Sequence, residues 1–389
     1  MQELPRASTP ILPRNPTPEP SGAVRVWDGG VRLFHWTLVV AVSAAALTGF
    51  VLGDTTLAWH EAAGAVAIAA VAWRVVWGLL GTTHARFSSF AYSPAVVLAH
   101  LVDLRSRRPR RHLGHNPLGA MMVFALLAVV AAIALTGTLA LGGLLNQGPL
   151  RAFLSYDIGR QALRLHNALS ILLLLMVGVH LAGVGFESWR ARENLVAAML
   201  TGDKPMEPPF VAVPAKNARS RLMLAILLGG LAASVAGIMA LSTRPGRGAP
   251  PVAQDPMFAE QCGACHLALP PSLAPAATWN GILSDLAHHF GADATLSADQ
   301  VAHIRAWLDA NAAEHWDNLP SHLLRRPAAD GSLRITDTPG WRRTHRHIPD
   351  AVFAMKPVYR RSDCEECHAD AATGRFAPQR IAIPEPGEP

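Results

Sequence analysis

The 389-residue chain has four cysteines, and all four lie in two copies of one short pattern. Residues 262–266 read CGACH and residues 364–368 read CEECH. C-x-x-C-H is the attachment pattern of c-type haem, in which the cysteines form thioethers and the histidine ligates the iron. A disulfide or a zinc site would not require a histidine directly after each pair. We therefore predict two covalent haems c, with attachment residues Cys262, Cys265, His266, Cys364, Cys367 and His368.

Two more histidines interrupt the apolar run RLHNALSILLLLMVGVHLAG, which is long enough to cross a membrane. His166 and His180 are separated by nearly four helical turns, so both rings lie on one helix face, about 21 Å apart along the axis. An ionisable side chain inside a bilayer is costly and is a functional candidate by default. The spacing favours ligands for two haems stacked across the membrane. Hydrogen bonding of both rings to neighbouring helices is the alternative.

The composition indicates that these histidines sit in a membrane domain. Apolar residues make up 50% of the chain, charged residues only 16%, and the mean hydropathy is +0.22. Five apolar stretches are long enough to span, at residues 33–53, 58–80, 117–142, 163–186 and 222–241. We predict an all-α protein in which four spans form a haem-binding transmembrane bundle and the fifth is an anchor helix. A mainly helical exported domain follows it.

The placement of positive charge predicts the orientation of the spans. The loop at 81–116 contains LRSRRPRRH, and the segment after the fourth span is also basic, whereas the loops at 54–57 and 143–162 hold only two arginines. Basic loops stay in the cytoplasm. We therefore expect a cytoplasmic N-terminus in a bacterial inner membrane, and a periplasmic C-terminal domain. Haem c is attached on that outer side, which agrees with the C-x-x-C-H motifs.

Composition also predicts the domain boundaries. The first segment is polar and proline-rich and lacks the apolar core of a cleaved signal peptide, so we expect a disordered cytoplasmic tail. A Pro/Gly linker precedes the exported domain. The predicted segments are 1–23 (tail), 24–200 (membrane domain), 201–242 (cytoplasmic linker and fifth helix), 243–256 (Pro/Gly linker), 257–380 (dihaem domain) and 381–389 (frayed tail).

The first two spans each carry a histidine near their start, His35 and His60. Because successive spans run in opposite directions, His35 is level with His180 near the cytoplasmic face. His60 is level with His166 near the opposite face. Haem sites are built in this way between the helices of a bundle. We predict that each level pair clamps one non-covalent haem b.

Residues 24–200 resemble the bacterial cytochrome b561 family, which includes the b-type subunits of nickel-iron hydrogenases. The resemblance rests on VWDGGVRLFHW, HEAAG, WRVVWGLLGTTHARF, GHNPLGA and the histidine pair of the fourth span. It implies that His35, His60, His166 and His180 ligate two haems b. His115, within GHNPLGA, does not match a ligand position, and we expect it to be solvated with the rest of the basic loop.

Residues 258–376 resemble the dihaem cytochrome c family through CGACHLALPPSLAPAATWNGILSDLAHHFGADATL and RITDTPGWRRTHRHIP. The resemblance implies that His289 and His345 are the second axial ligands, without telling which haem each serves. Their neighbours His288 and His347 are the nearest alternatives. Met355 is a weaker candidate, whose thioether would raise the potential of the haem.

Four haems in one chain indicate movement of electrons across or out of a membrane. We expect a quinol:cytochrome c type oxidoreductase that passes electrons from membrane quinol through the haems b to the haems c and a soluble periplasmic cytochrome c. The dihaem resemblance implies a small oxygen-binding monohaem cytochrome c as one such partner. Two alternatives stay open: a relay for a dehydrogenase or hydrogenase without quinone, and a haem-based redox or gas sensor. We expect membrane lipid around the bundle and no nucleic-acid partner, and a homodimer is left open.

Overall fold

A computed structural model describes residues 22–53, 56–106, 114–206, 239–250 and 253–384, together with Gly229, Ala233, Ala236 and Gly237. The described chain is mainly helical, as predicted. The predicted fifth span, at 222–241, lies mostly outside the described residues, which include only seven of its twenty positions. So do nearly all of the predicted N-terminal tail, most of the arginines of the basic loop, and the last five residues of the chain.

Four long helices are apolar enough to cross a membrane, and they coincide with the first four predicted spans. α1 (Gly29–Leu47) continues through a π-helical turn (Thr48–Leu52). The others are α2 (Leu57–Leu80), α4 (Pro117–Leu144) and α5 (Tyr156–Ala191). The loop predicted between the second and third spans contains a further helix, α3 (Pro94–Arg105), which is apolar but too short to span.

Polar caps fix the starts of these helices. Asp28 accepts a hydrogen bond from Val31 N at 2.9 Å and so caps α1. The same carboxylate accepts from Trp77 Nε1 at 3.1 Å and from the Thr82 hydroxyl. The start of α1 is thereby tied to the end of α2. Asn116 caps α4 through Gly119 N at 2.7 Å.

A small antiparallel sheet closes the end of the bundle at which α1 begins and α5 finishes. β1 (Gly22–Arg25) pairs with β2 (Asp203–Met206), which follows the short helix α6 (Leu195–Thr201). The all-α prediction did not include this sheet. Within β2, Lys204 is buried, and its ammonium lies 3.5 Å from the carboxylate of Glu193.

The bundle consists of two helical hairpins, α1 with α2 and α4 with α5. Its centre is a small apolar cluster of Ala41, Ala67, Val130 and Leu173, one residue from each long helix. In the second hairpin the backbones touch. A Cβ added to Gly143 would lie 2.7 Å from Gly159 Cα, and one added to Gly159 would lie 2.7 Å from the Gly143 carbonyl carbon. This close approach is the small-residue packing typical of membrane helices.

The C-terminal domain is built from short helices around its own core. They are α7 (Pro256–Cys262), α8 (Ala276–Ser284), α9 (Ala298–Asn311), α10 (Leu319–Leu324) and α11 (Pro339–Thr344). The core is formed by Phe258, Trp279, Ile304 and Leu308. α9 starts with a capping box from Ser297 to Gln300. The domain contacts the end of the bundle at which α2 and α5 begin.

The glycine contact between α4 and α5 gives the first testable prediction. Gly143→Ala should separate the two helices and destabilise the fold by about 1–3 kcal/mol, since overpacking forces the backbone to move. It should lower the midpoint of thermal unfolding in detergent and weaken retention of non-covalent haem. Gly185→Ala, also on α5, meets nothing within 4 Å and is the control. Equal midpoints for the two variants would contradict the prediction.

Candidate haem sites

The start of α2 and the first third of α5 bring His60 and His166 together. Their ring centroids are 6.0 Å apart, with the ring planes at 73°. Two imidazoles that ligate one iron from opposite sides stand about 6 Å apart, because each metal–nitrogen bond is about 2 Å long and the centroid lies about 1 Å further out. The pair therefore fits a haem iron between its two rings.

At the other end of the bundle, His35 on α1 and His180 on α5 lie close enough to interact electrostatically. The Nδ1 atom of His35 is buried and has no hydrogen-bond partner among the described residues. Gly64, on the face of α2 one turn after His60, has open space where a Cβ would project. The level pairs predicted from the span directions are thus the pairs that the fold brings together.

The C-terminal domain contains two more histidine pairs with the same spacing. His266 and His289 have ring centroids 6.2 Å apart, and His345 and His368 have centroids 6.1 Å apart. The sequence left open which motif each distal histidine serves. The fold places His289 at the first C-x-x-C-H and His345 at the second.

His288 and His347, the nearest alternatives as second axial ligands, have other hydrogen-bond partners. His288 is exposed and its Nδ1 is bonded to the Asp285 carboxylate at 2.8 Å. His347 Nε2 accepts a hydrogen bond from Arg346 Nε at 2.8 Å. Neither histidine forms a ring pair with the histidine of a C-x-x-C-H motif in the described chain.

Two family models match the chain. The model for prokaryotic cytochrome b561 matches residues 26–202, and the model for dihaem cytochrome c matches residues 258–376. Residues 26–202 are a cytochrome b561 domain, and residues 258–376 are a dihaem cytochrome c domain. The chain is accordingly a membrane electron-transfer protein with haem b and haem c as its cofactors.

Curated relatives share the b561 domain. The chain is 22% identical over 216 residues to a protein named "Probable Ni/Fe-hydrogenase B-type cytochrome subunit" from Rhizobium leguminosarum bv. viciae, covering 47% of this chain and 89% of that protein. A protein of the same name from Rhodobacter capsulatus is 23% identical over 214 residues, covering 47% and 81%.

Two solved structures are similar in sequence to about a third of this chain. The crystal structure of DHC purified from Rhodobacter sphaeroides is 31% identical, covers 32% of this chain and 98% of that chain, and has a TM-score of 0.26. A dihaem cytochrome c from Shewanella baltica OS155 is 30% identical, covers 34% and 94%, and has a TM-score of 0.28.

Backbone carbonyls orient the histidines of both domains. In the b561 domain His60 Nδ1 donates to Ala45 O at 3.0 Å, and His166 Nδ1 donates to Ile133 O at 3.0 Å. In the dihaem domain His266 and His345 donate to Leu267 O and Trp341 O, at 2.8 and 2.9 Å. A carbonyl can only accept, so the Nδ1 of each ring carries the proton. The Nε2 lone pair is then available to a metal.

The two hairpins of the b561 domain support their histidines in the same way. Thr48 Oγ1 lies 3.3 Å from His60 Nδ1, and Thr136 Oγ1 lies 3.5 Å from His166 Nδ1. The glycine after each threonine lies against the ring, so that a Cβ there would be 3.2 Å from His60 Cε1 and 3.1 Å from His166 Cε1. Neither threonine was predicted from the sequence. The tetrapeptide ALTG, at 46–49 and again at 134–137, is the signal that would have found them.

Burial shifts the pKa of several titratable groups in the dihaem domain. Burial lowers the pKa of the His289, His345 and His368 rings, so they are neutral at pH 7 and able to ligate a metal. All four cysteines are free of disulfide bonds. Burial raises the pKa of Cys262 to about 11 and that of Cys364 to about 12, which keeps both thiols protonated.

His115 corrects one expectation. It was expected to be solvated, but its ring packs between Trp27 and Phe90, with centroids 4.7 and 4.4 Å away, and its Nδ1 is buried. Burial, with smaller contributions from the nearby charges of Arg74 and Lys204, lowers the pKa of His115 to about 3. The GHNPLGA segment therefore contributes a neutral, structural histidine to the end of the bundle that carries the sheet.

The threonine support gives the second prediction. Thr48→Val removes an acceptor from His60 Nδ1, which makes the imidazole less electron-rich and should raise the midpoint potential of the haem b held there. A hydrogen bond worth roughly 0.5–1 kcal/mol corresponds to roughly 20–40 mV for one electron. Thr138→Val, which loses only a bond to Ala134 O, is the control. A redox titration that finds the same shift in both variants would refute the role of Thr48.

The histidine pairs of the dihaem domain give the third prediction. His345→Ala and His289→Ala should each convert one covalent haem to a high-spin form that binds carbon monoxide, because the iron loses one axial ligand. Absorption and electron paramagnetic resonance spectra would show the change. His347→Ala and His288→Ala should leave both haems low-spin. A high-spin signal in either neighbour variant would move the ligand assignment to that neighbour.

Proposed function

We propose that this protein carries electrons from membrane quinol to a soluble periplasmic cytochrome c. The proposed route runs through two haems b in the b561 domain and two haems c in the dihaem domain. The observation that carries the proposal is the repeated ring spacing of 6.0–6.2 Å, found at His60–His166, His266–His289 and His345–His368 in one polypeptide. His35 and His180 complete the proposed set of four sites.

Bound haem supplies the one-electron chemistry of its iron. The chain's own residues hold pairs of imidazoles at a fixed separation. The Nδ1–H bonds to carbonyls fix the tautomer, and the apolar helices exclude water from the sites in the bundle. Two nitrogen ligands favour a lower potential than a histidine–methionine pair. The proposed acceptor therefore needs a potential above that of a bis-histidine haem c, and a small oxygen-binding monohaem cytochrome c is one candidate.

The proposed orientation follows the placement of charge. The N-terminus and the basic loops lie in the cytoplasm, and the dihaem domain lies in the periplasm of a bacterial inner membrane. The packing of the dihaem domain against the end of the bundle that carries His60 and His166 supports this orientation. The predicted span directions place that pair near the periplasmic face.

A second function is favoured by the names of the relatives. Both are described as b-type cytochrome subunits of a nickel-iron hydrogenase. In this alternative the electrons come from a hydrogenase bound to the b561 domain, and no quinone takes part. The covalently joined dihaem domain, which makes up a separate matched region, favours an electron outlet to a soluble protein in either case.

Anaerobic reduction distinguishes the two functions. The oxidised full-length protein in liposomes is mixed with duroquinol, and the absorption bands of haem b and haem c are followed. The fourth prediction is that the bands show reduction of both haem b and haem c. Added oxidised soluble cytochrome c should then reoxidise these haems. A His35→Leu, His60→Leu double variant should lose the response. If duroquinol leaves every haem oxidised while hydrogenase with hydrogen reduces them, the quinol function is wrong and the relay is favoured.

A further inference from the structure

The second C-x-x-C-H motif is fastened to a short segment that follows it in the chain. Ala382 N donates to Cys367 O at 2.8 Å, and Ala369 N donates to Arg380 O at 3.1 Å. His368 and Ile381 form an isolated β-bridge. These backbone bonds make residues 378–382 one rigid unit with the motif.

The same segment contacts the b561 domain through Gln379. Its Nε2 donates to Glu61 Oε1 at 2.8 Å and to Gln147 Oε1 at 3.1 Å. In return Gln147 Nε2 donates to Gln379 Oε1 at 3.2 Å. Glu61 follows His60 directly in α2, and Gln147 lies in the loop between α4 and α5. Hydrogen bonds thus connect the His368 motif with the residue next to a haem b ligand.

A second group of contacts fixes how the dihaem domain sits on the bundle. The ring of Tyr156, the first residue of α5, stacks on His322 with centroids 3.9 Å apart. Asp317 accepts from Tyr156 N at 3.2 Å and is paired with His322 Nε2 at 2.8 Å. Because α5 also carries His166, both groups of contacts lie at the end of the bundle that holds the His60–His166 pair.

The first motif is the more accessible of the two. Gly263, Ala264 and Cys265 are exposed, and Phe290, beside the distal ligand His289, is 43% exposed. In the second motif Glu365 and Glu366 are exposed, but both cysteines are half-buried. The first motif thus presents an exposed cysteine and an exposed aromatic ring to solvent, whereas the second motif is the one joined to the b561 domain through Gln379.

We propose that the second haem c, at Cys364, Cys367 and His368, exchanges electrons directly with the His60–His166 site. The first haem c then faces the soluble partner, and Gln379 is the positioning residue for the transfer between domains. Each transfer moves one electron, so that one iron goes from ferrous to ferric and the other from ferric to ferrous. No bond is made or broken and no proton moves. The proposal rests on the proposed function, a route through four haems, and adds the order in which the two haems c take part.

The order is tested in the full-length chain by removing one covalent haem at a time. Electrons are supplied to the b561 domain by a flash-activated photoreductant, so the result does not depend on whether quinol is the natural donor. In Cys364→Ala, Cys367→Ala, reduction of the remaining haem c should be lost on the time scale of the native transfer. In Cys262→Ala, Cys265→Ala, the remaining haem c should be reduced at the native rate, while delivery to soluble cytochrome c falls.

A milder change tests the docking with both covalent haems present. Gln379→Ala should slow reduction of haem c by roughly tenfold, since it removes the hydrogen bonds that hold the two domains together at this point. It should also speed hydrogen–deuterium exchange of residues 378–382. Gln254→Ala is the matched control, because Gln254 Nε2 bonds only to carbonyls of the dihaem domain, at Ala268 and Ala372. Haem analysis of both variants should find two covalent haems.

Three results would overturn the proposal. One is loss of transfer in the chain that lacks the first haem, with transfer kept in the chain that lacks the second. Another is an equal loss in both chains. The third is a Gln379→Ala variant whose transfer rate and exchange match those of Gln254→Ala. If duroquinol fails to reduce the protein but the photoreductant experiments give the order of transfer described above, only the proposal that quinol is the donor is rejected.

Discussion

The structure depends on one repeated interaction, the hydrogen bond from a histidine Nδ1 to a backbone carbonyl. His60, His166, His266 and His345 all make it, with distances of 2.8–3.0 Å. The bond places the proton on Nδ1 and restrains the plane of the ring, so that the Nε2 lone pair is available to a metal. The membrane helices and the loop-rich dihaem domain thus both hold two imidazoles about 6 Å apart, the separation that fits one iron.

Inside the bundle this interaction constrains the packing of the helices. A carbonyl in an α-helix is normally committed to the residue four positions later, so a second donor must approach it from the side. The ring can do so only where the facing helix carries a small residue, as Gly49 and Gly137 do beside His60 and His166. The ALTG repeat therefore supplies a hydroxyl and a gap, and the residue just before each copy, Ala45 or Ile133, supplies the carbonyl acceptor. The contact between Gly143 and Gly159 lets α4 and α5 approach closely enough for the second copy.

The two ends of the bundle differ in what covers them. The end that carries the sheet is closed by the Lys204–Glu193 pair and by His115 among aromatic rings, which fit a sealed structural cap. The opposite end presents Glu61, Gln147 and Tyr156 to the dihaem domain. These contacts are polar and few, which is typical of an interface between domains that fold separately.

Local chemistry and periodicity in the sequence were enough to predict the cofactor class, the four described spans and a candidate set of histidine ligands. C-x-x-C-H places two thiols and an imidazole within five residues, and the spacing of His166 and His180 follows from helical repeat alone. Only the tertiary structure brought His289 to the first motif and His345 to the second, buried His115, and joined Gln379 to Glu61. Those contacts link residues from 23 to 318 positions apart in the chain, and no local pattern encodes which distant segments will meet.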